Sequence, residues 1–212
     1  MTGVREVLQR RSIRRGILAL TALLALVVVV SPYLPPLLSR PYAFHGSQFN
    51  PPPLAADFTL TDQEGRLVQL SDYRGKLVLL FFGYTHCPDV CPTTLAKLNY
   101  VLRELGDAAR EVQVAFVSID PERDTPEVIK RYLGHFNPSF VGLTGRPEEI
   151  KAVAQAYGVY VEKEEVGSAA GYLITHSART YVIDREGKLV LTFAYETEPQ
   201  DMVSDLKRLL RG

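Results

Sequence analysis

The short apolar run Lys76-Leu-Val-Leu-Leu-Phe-Phe82 stops at Gly83-Tyr-Thr-His-Cys87-Pro-Asp-Val-Cys91-Pro92, and a helical pattern starts directly after it. A brief continuous apolar stretch without alternation describes a central strand buried on both faces. From Thr93 to Leu105 the apolar positions Leu95, Leu98, Val101, Leu102 and Leu105 form the stripe of a helix packed on one side, which ends at Gly106. The junction between strand and helix holds the only two cysteines of the chain, separated by three residues. Exposed N–H groups and the helix dipole favour thiolate over thiol at such a place. Thiolates serve redox exchange and soft-metal binding, and the choice between these decides the function.

The rest of the chain from Leu54 reads as α/β. Asp57-Phe-Thr-Leu-Thr and Leu67-Val-Gln-Leu flank the turn Asp62-Gln-Glu-Gly65 as a β-hairpin. Val112 to Ile119 is a second buried strand. Thr125 to Phe136 is a helix with Thr125 as N-cap and Pro126 in its first position. Pro147 to Tyr157 is another helix, ending at Gly158. Val159 to Glu162 and Gly171 to Ile174 are short extended pieces about a turn. Thr180 to Ile183 and Leu189 to Phe193 form a second hairpin through Asp184-Arg-Glu-Gly187, and Asp201 to Leu210 closes the chain as a helix. This order matches a thioredoxin-like fold with an added N-terminal hairpin.

The first 15 residues carry five arginines against Glu6, a net charge of +4, so the remainder of this neutral chain carries −4. No basic patch suited to nucleic acid is present. Gly16 to Ser39 holds no charged residue, and its apolar part nears the roughly 20 residues that span a bilayer. Arginines before such a segment keep the N-terminus in the cytoplasm. Pro32 follows Ser31, the only small-residue cleavage candidate, and disfavours cleavage there. The expected organisation is a basic cytoplasmic segment at 1–15, a single-pass transmembrane anchor at 16–38, a Pro-rich spacer at 39–53 and a folded domain at 54–212 outside the (inner) cell membrane. Export permits disulfides. A pair so close in sequence is a poor structural staple, so a functional pair is expected.

Pro92 suits the first helical position, which places Cys91 at or near the cap and Cys87 about one turn away on the same side. The spacing is wider than in thioredoxins and better suits a metal. Of the four histidines, His45 falls in the spacer and is expected to be exposed and unpaired. His135 falls near a helix end, where a cation complements the dipole. His86 adjoins Cys87 and reads as a tuner or surface residue. His176, in Thr175-His176-Ser177, precedes the strand Thr180 to Ile183. In a thioredoxin-like sheet that strand runs antiparallel to Leu77–Phe82, which brings His176 over the thiols in place of the usual cis-proline. Two thiolates and one imidazole prefer copper, Cu(I) through sulfur and Cu(II) through nitrogen. Structural zinc usually takes four protein ligands, and three are found here. Asp120, Glu122 and Asp124 read as a solvated loop with a helix cap, Arg123 included. Asp89, inside the cysteine turn, is placed to tune the thiols or meet a partner.

Gly83-Tyr-Thr-His-Cys87-Pro-Asp-Val-Cys91-Pro92, Val117-Ser-Ile-Asp-Pro-Glu-Arg-Asp-Thr-Pro126 and Tyr172-Leu-Ile-Thr-His176-Ser177 together resemble the Sco/SenC copper-chaperone family over about residues 54–212. The resemblance implies a thioredoxin-like domain that binds copper through Cys87, Cys91 and His176. It implies subunit II of cytochrome c oxidase as the partner, whose CuA centre needs copper and reduced cysteines. An upstream copper donor or thiol reductant would complete the set. Many members carry an acidic residue before the ligand histidine, where this chain has Thr175. The expectation is a metallochaperone rather than a turnover enzyme. The alternative is a thiol–disulfide oxidoreductase that uses Cys87 and Cys91 to keep the CuA cysteines, or other exported thiols, reduced. A peroxiredoxin-like activity is disfavoured. Its threonine three before and proline seven before the reactive cysteine are replaced by Tyr84 and Leu80 for Cys87, and by Pro88 and Tyr84 for Cys91.

Overall fold

The computed structural model describes residues 20–31, 42–165 and 171–211. Residues 20–30 are helical and exposed. No helix among the described residues is long and apolar enough to cross a membrane. The expected transmembrane helix at 16–38 is therefore not shown. Much of it, and all of the basic segment 1–15, lies outside the described residues.

The unit that starts at Phe44 runs through β1 (Ser47–Gln48), β2 (Thr59–Asp62), β3 (Leu67–Gln69), β4 (Leu77–Gly83), α1 (Val90–Leu105), β5 (Val112–Ser118), α2 (Pro126–Gly134) and β6 (Val141–Thr144). It continues through α3 (Pro147–Ala156), β7 (Val161–Glu165), β8 (Tyr172–His176), β9 (Thr180–Ile183), β10 (Leu189–Phe193) and α4 (Pro199–Arg211). Eight strands form one sheet in the order β1-β10-β9-β4-β5-β6-β2-β3, and β7 pairs with β8 alone. This is the expected mixed α/β, thioredoxin-like arrangement, with the β2–β3 hairpin added at one edge through β6.

Every residue of β4 is buried, which is why its sequence is apolar without alternation. β4 pairs in parallel with β5 from Leu77↔Val112 to Gly83↔Ser118. On its other side it meets β9 in antiparallel register, Phe81 opposite Thr180. The start of β9 thus abuts the end of β4, as the sequence predicts. Helix α1 lays Leu95, Leu98, Val101 and Leu102 into the core, and each such side chain contributes about 1.5–3 kcal/mol when fully buried.

Three expectations are corrected. Helix α1 starts at Val90 with Asp89 as N-cap, so Cys91 lies within the helix and Pro92 is its third residue. Proline is tolerated there because the first four N–H groups of a helix have no intrahelical acceptor. The strand β6, Val141-Gly-Leu-Thr, is absent from the sequence reading because four residues give no usable period. It is parallel to β5, and Gly142 sits under α2. A Cβ there would lie 2.1 Å from Ile129 Cγ2 and 2.7 Å from Leu133 Cδ1. Finally, the last part of the expected spacer belongs to the fold. β1 pairs with β10, Ser47 opposite Thr192, and His45 is bonded to α4. The His45 and Gly46 N–H groups and His45 Nδ1 all meet the buried Asp205 carboxylate, at 2.9–3.2 Å. His45 Nε2 lies 3.4 Å from Asp201. The expected unpaired histidine is a clasp.

Candidate metal centre

Cys91 extends the buried stripe of α1 back to the second helical position and is 0 % exposed. Its sulfur lies against the end of β4, where a side chain would obstruct it. A Cβ on Gly83 would come within 3.0 Å of Cys91 Sγ and 2.9 Å of Phe116 Cε2. Cys87 precedes the helix in a turn closed by its own N–H to the Tyr84 carbonyl, 3.3 Å, and is only half-buried. The Cys91 N–H donates to Cys87 Sγ at 3.4 Å. Both thiols are free. One strand end and one helix start therefore present two sulfurs of unequal exposure.

Their electrostatics are unequal too. The neighbouring Cys91 thiol, then His176 and the backbone N–H groups of Cys91 and Asp89, pull Cys87 down to about 3 against its partial burial. The same pairing, together with burial, pushes Cys91 upward. The pairing thus favours the thiolate at the more exposed Cys87 and the thiol at the buried Cys91.

His176 is the last residue of β8. Its Nε2 lies 3.5 Å from Cys91 Sγ. Its Nδ1 is 3.3 Å from the Ser177 carbonyl. The Ser177 carbonyl anchors the ring through Nδ1 and leaves Nε2 facing the sulfurs. Phe81 and Tyr84 hold the ring edge-on, at centroid distances of 6.3 and 6.1 Å. A cavity of about 290 Å³ opens beside these groups, lined by Cys87, Asp89, Glu164, Thr175 and His176 among others. A roomier cavity of about 380 Å³, between Ile119, Ile150 and Val159, contains none of the three donors.

Other residues singled out in the sequence fall elsewhere. His135 is the exposed C-cap of α2. His86 is exposed, with Nδ1 3.0 Å from Thr85 Oγ1, and does not line the cavity beside Cys87 and His176. The acidic loop is not solvated as expected, because Asp120 and Asp124 are both 0 % exposed. Donor atoms of His86, Asp120 and Asp124 lie within 4.8 Å of one another, but the carboxylates are already engaged. Asp124 accepts from Thr85 N–H, Thr85 Oγ1 and Ser118 Oγ. Asp120 accepts from Arg123 Nε and the Tyr172 hydroxyl. Glu164 is a cavity residue that the sequence reading missed. It accepts a 2.7 Å bond from Thr175 Oγ1, so a carboxylate stands next to the position before His176, supplied by the neighbouring strand. Cross-strand pairing of β7 with β8, Glu162 opposite Thr175, creates this proximity, and no local sequence signal announces it.

The SCO1/SenC family model matches residues 47–211. An SCO2-like protein of Rickettsia felis is 38% identical over 155 residues, 73% of this chain and 76% of that protein. The structure of Bradyrhizobium japonicum ScoI with copper bound superposes with a TM-score of 0.68 at 44% identity, covering 74% of this chain and 99% of that one. BsSco, described as a member of the Sco family of cytochrome c oxidase assembly proteins in which a disulfide switch was identified, gives a TM-score of 0.62 at 25% identity, covering 76% of this chain and 95% of that one.

Proposed function

The chain belongs to the SCO1/SenC family, and on that premise we propose that it binds copper through Cys87, Cys91 and His176 and delivers it to the CuA centre of cytochrome c oxidase subunit II during assembly. The observation that carries this reading is the 3.5 Å approach of His176 Nε2 to Cys91 Sγ, beside a second, half-exposed sulfur. Two sulfurs and one imidazole suit copper in either oxidation state. Three donors leave a coordination position facing the cavity. A donor from the partner can enter there, so the ion changes hands one ligand at a time. Cys87, half-exposed and with its thiol drawn down by Cys91, is the first sulfur that such a partner meets. Cys91 and His176, held from the helix and from β8, keep the ion until the exchange is under way.

Residues 16–38 are proposed as the anchor, with 1–15 on the cytoplasmic side and the copper-binding domain on the other. The uncharged segment and the arginines before it support this placement.

The test is copper titration of the full-length chain, reduced, with absorption and EPR spectra. One equivalent should bind, with thiolate-to-copper charge transfer. His176→Ala should weaken Cu(II) binding by more than the roughly 10–100-fold typical for loss of an outer-shell partner, while Cys87 and Cys91 still form a disulfide. Wild-type Cu(II) affinity in that variant would remove His176 from the ligand set.

A specific observation also favours the thiol–disulfide reading, namely two free thiols of unequal burial, the half-exposed Cys87 sulfur accepting the N–H of buried Cys91 at 3.4 Å, an arrangement that draws Cys87 down and pushes Cys91 up. In that chemistry the Cys87 thiolate attacks one sulfur of a partner disulfide and expels the other as thiolate. Cys91 then gives up its proton and attacks Cys87 Sγ. The partner leaves with both thiols reduced, and this chain is left with the Cys87–Cys91 disulfide. A Cys91→Ser variant should trap the mixed disulfide if this is a main activity.

A further inference from the structure

The proposed ligands come from two separate elements. Cys87 and Cys91 sit on the turn and helix after β4, whereas His176 ends β8, a strand outside the main sheet. Sheet pairing alone does not fix the distance between them. Both elements instead touch the Asp120–Asp124 loop between β5 and α2. We propose that this loop is a two-armed brace that sets the separation of the sulfurs and the imidazole, with Asp124 positioning the cysteine turn and Asp120, through Arg123 and Tyr172, positioning β8. The inference deepens the copper-binding reading and rests on it.

The first arm reaches the cysteine turn. Asp124 is wholly buried and accepts the Thr85 N–H at 3.0 Å and the Thr85 hydroxyl at 2.6 Å, two residues before Cys87. Ser118 Oγ, at the end of β5, donates to the same carboxylate at 2.6 Å and locks it to the sheet. A buried carboxylate with three donors holds its ligands in one geometry, because losing any of them leaves charge unsolvated.

The second arm reaches β8. The Tyr172 hydroxyl donates to Asp120 Oδ1 at 2.6 Å. Arg123 binds the other oxygen of Asp120 through Nε, stacks on the Tyr172 ring at 3.6 Å and donates to the Tyr172 carbonyl at 3.1 Å. Tyr172 opens the strand that His176 closes. Lys163 of β7 covers the ring from the adjacent strand, with Nζ 4.7 Å from its centre and 2.8 Å from Glu122 of the same loop. Between the arms, the Ile174 N–H donates to the Tyr84 hydroxyl at 3.1 Å. That bond joins β8 to the cysteine turn directly. Asp120 and Asp124 are residues of positioning, since neither touches the three proposed ligands in the contacts described above.

The full-length chain tests this with four readouts: amide hydrogen exchange along β8 in the metal-free reduced protein, the Cys87–Cys91 midpoint potential, Cu(II) affinity and the Cu(II)–thiolate spectrum. Tyr172→Phe removes the hydroxyl that bonds Asp120 and also reaches Glu122. The pair Asp120→Asn with Arg123→Gln removes the arm's charges together, so that no lone charge is left buried. Both should speed exchange at Leu173 to Thr175 by at least about tenfold and lower Cu(II) affinity by about 10–100-fold, with the disulfide potential unchanged. Thr85→Val, a milder cut than Asp124→Asn and less prone to unfolding, should do the reverse: it should shift the disulfide potential and the thiolate spectrum while β8 exchange stays at the wild-type rate. Wild-type exchange and affinity in both β8-arm variants would overturn the brace. So would equal changes in every readout for all variants, which describe general loosening. His176→Ala separates the two levels of inference. Undiminished Cu(II) binding in it defeats the ligand assignment, whereas β8 exchange in the arm variants still decides the brace.

Discussion

Replacing Cys91 by Ala should change how Cys87 reacts with pH, and the size of the change follows from the site. Cys87 is pulled down to about 3 with the Cys91 thiol as the largest cause, against about 8.5 for a free thiol. A thiolate of such low basicity is also a weaker nucleophile. With a Brønsted slope of about 0.45, that gap lowers its intrinsic reactivity about 300-fold. A free thiol at about pH 6 is only about 0.3% ionised, a deficit of the same size. The two rates should therefore cross near pH 6, with Cys87 slower above and faster below. The diagnostic is the slope of the profile, since absolute rates can mislead. Alkylation by iodoacetamide, followed by peptide mass spectrometry on the metal-free reduced chain, should give a level rate at Cys87 from about pH 5 to 9, where an ordinary thiol climbs about tenfold per pH unit up to its pKa. Cys91, buried and protonated, should stay unlabelled. In Cys91→Ala the Cys87 profile should regain a rising limb at low pH. A tenfold climb per pH unit at Cys87 in the native chain would refute the thiolate assignment. A level profile that survives Cys91→Ala would move its cause to His176 and the helix N-terminus.

The His45 clasp is pH-dependent in a defined direction. The Asp205 bond, with Asp201 adding to it, raises His45 above its ordinary 6.5 against some desolvation. A raised folded value gives stabilisation that is complete below about pH 6.5 and fades as pH climbs through the raised folded value above it. The Tm difference between wild type and His45→Asn should therefore be larger at about pH 5.5 than at about pH 8.5, and an equal difference at both would show that the ring's charge plays no part. Gly142→Ala places a methyl 2.1 Å from Ile129 Cγ2, so α2 must shift off β6. Urea unfolding should show a loss of about 1–3 kcal/mol with the copper titration unchanged, and an unaltered urea midpoint would contradict the packing described for that crossing.

The sequence made the site legible where chemistry and period coincide. An apolar run ending at two cysteines and a helical stripe located β4, α1 and the junction between them. The antiparallel relation of β9 to β4 then carried His176 to the thiols, and the register of Phe81 opposite Thr180 is the physical form of that step. What stayed hidden depends on partners distant in sequence. Asp120 and Asp124 look solvated in a row of charges, and their burial follows from Tyr172, Ser118 and Thr85 folding over them. His45 looks idle in a proline-rich stretch until Asp205 on the last helix meets it. Strand β6 is too short to announce itself, and the bond from Thr175 to Glu164 exists only once β7 pairs with β8.

The two proposed duties of the thiols exclude one another at any instant, and the geometry explains how one site can serve both. In the proposed site copper takes both sulfurs as donors, and a Cys87–Cys91 disulfide offers none of comparable strength. Oxidation of the pair would therefore empty the proposed donor set from three to one, leaving His176 alone. The proposed copper cargo is thus gated by the same two electrons that a partner's disulfide would take. The order of events follows from exposure. Cys87 meets the partner first in either chemistry, as the first donor exchanged or as the attacking thiolate, and Cys91 responds from the buried side. A reduced chain without copper could thus prepare the partner's thiols, and a reduced chain with copper could fill them. On the proposed reading, the task a given molecule performs is set by whether copper or a partner disulfide reaches Cys87 first.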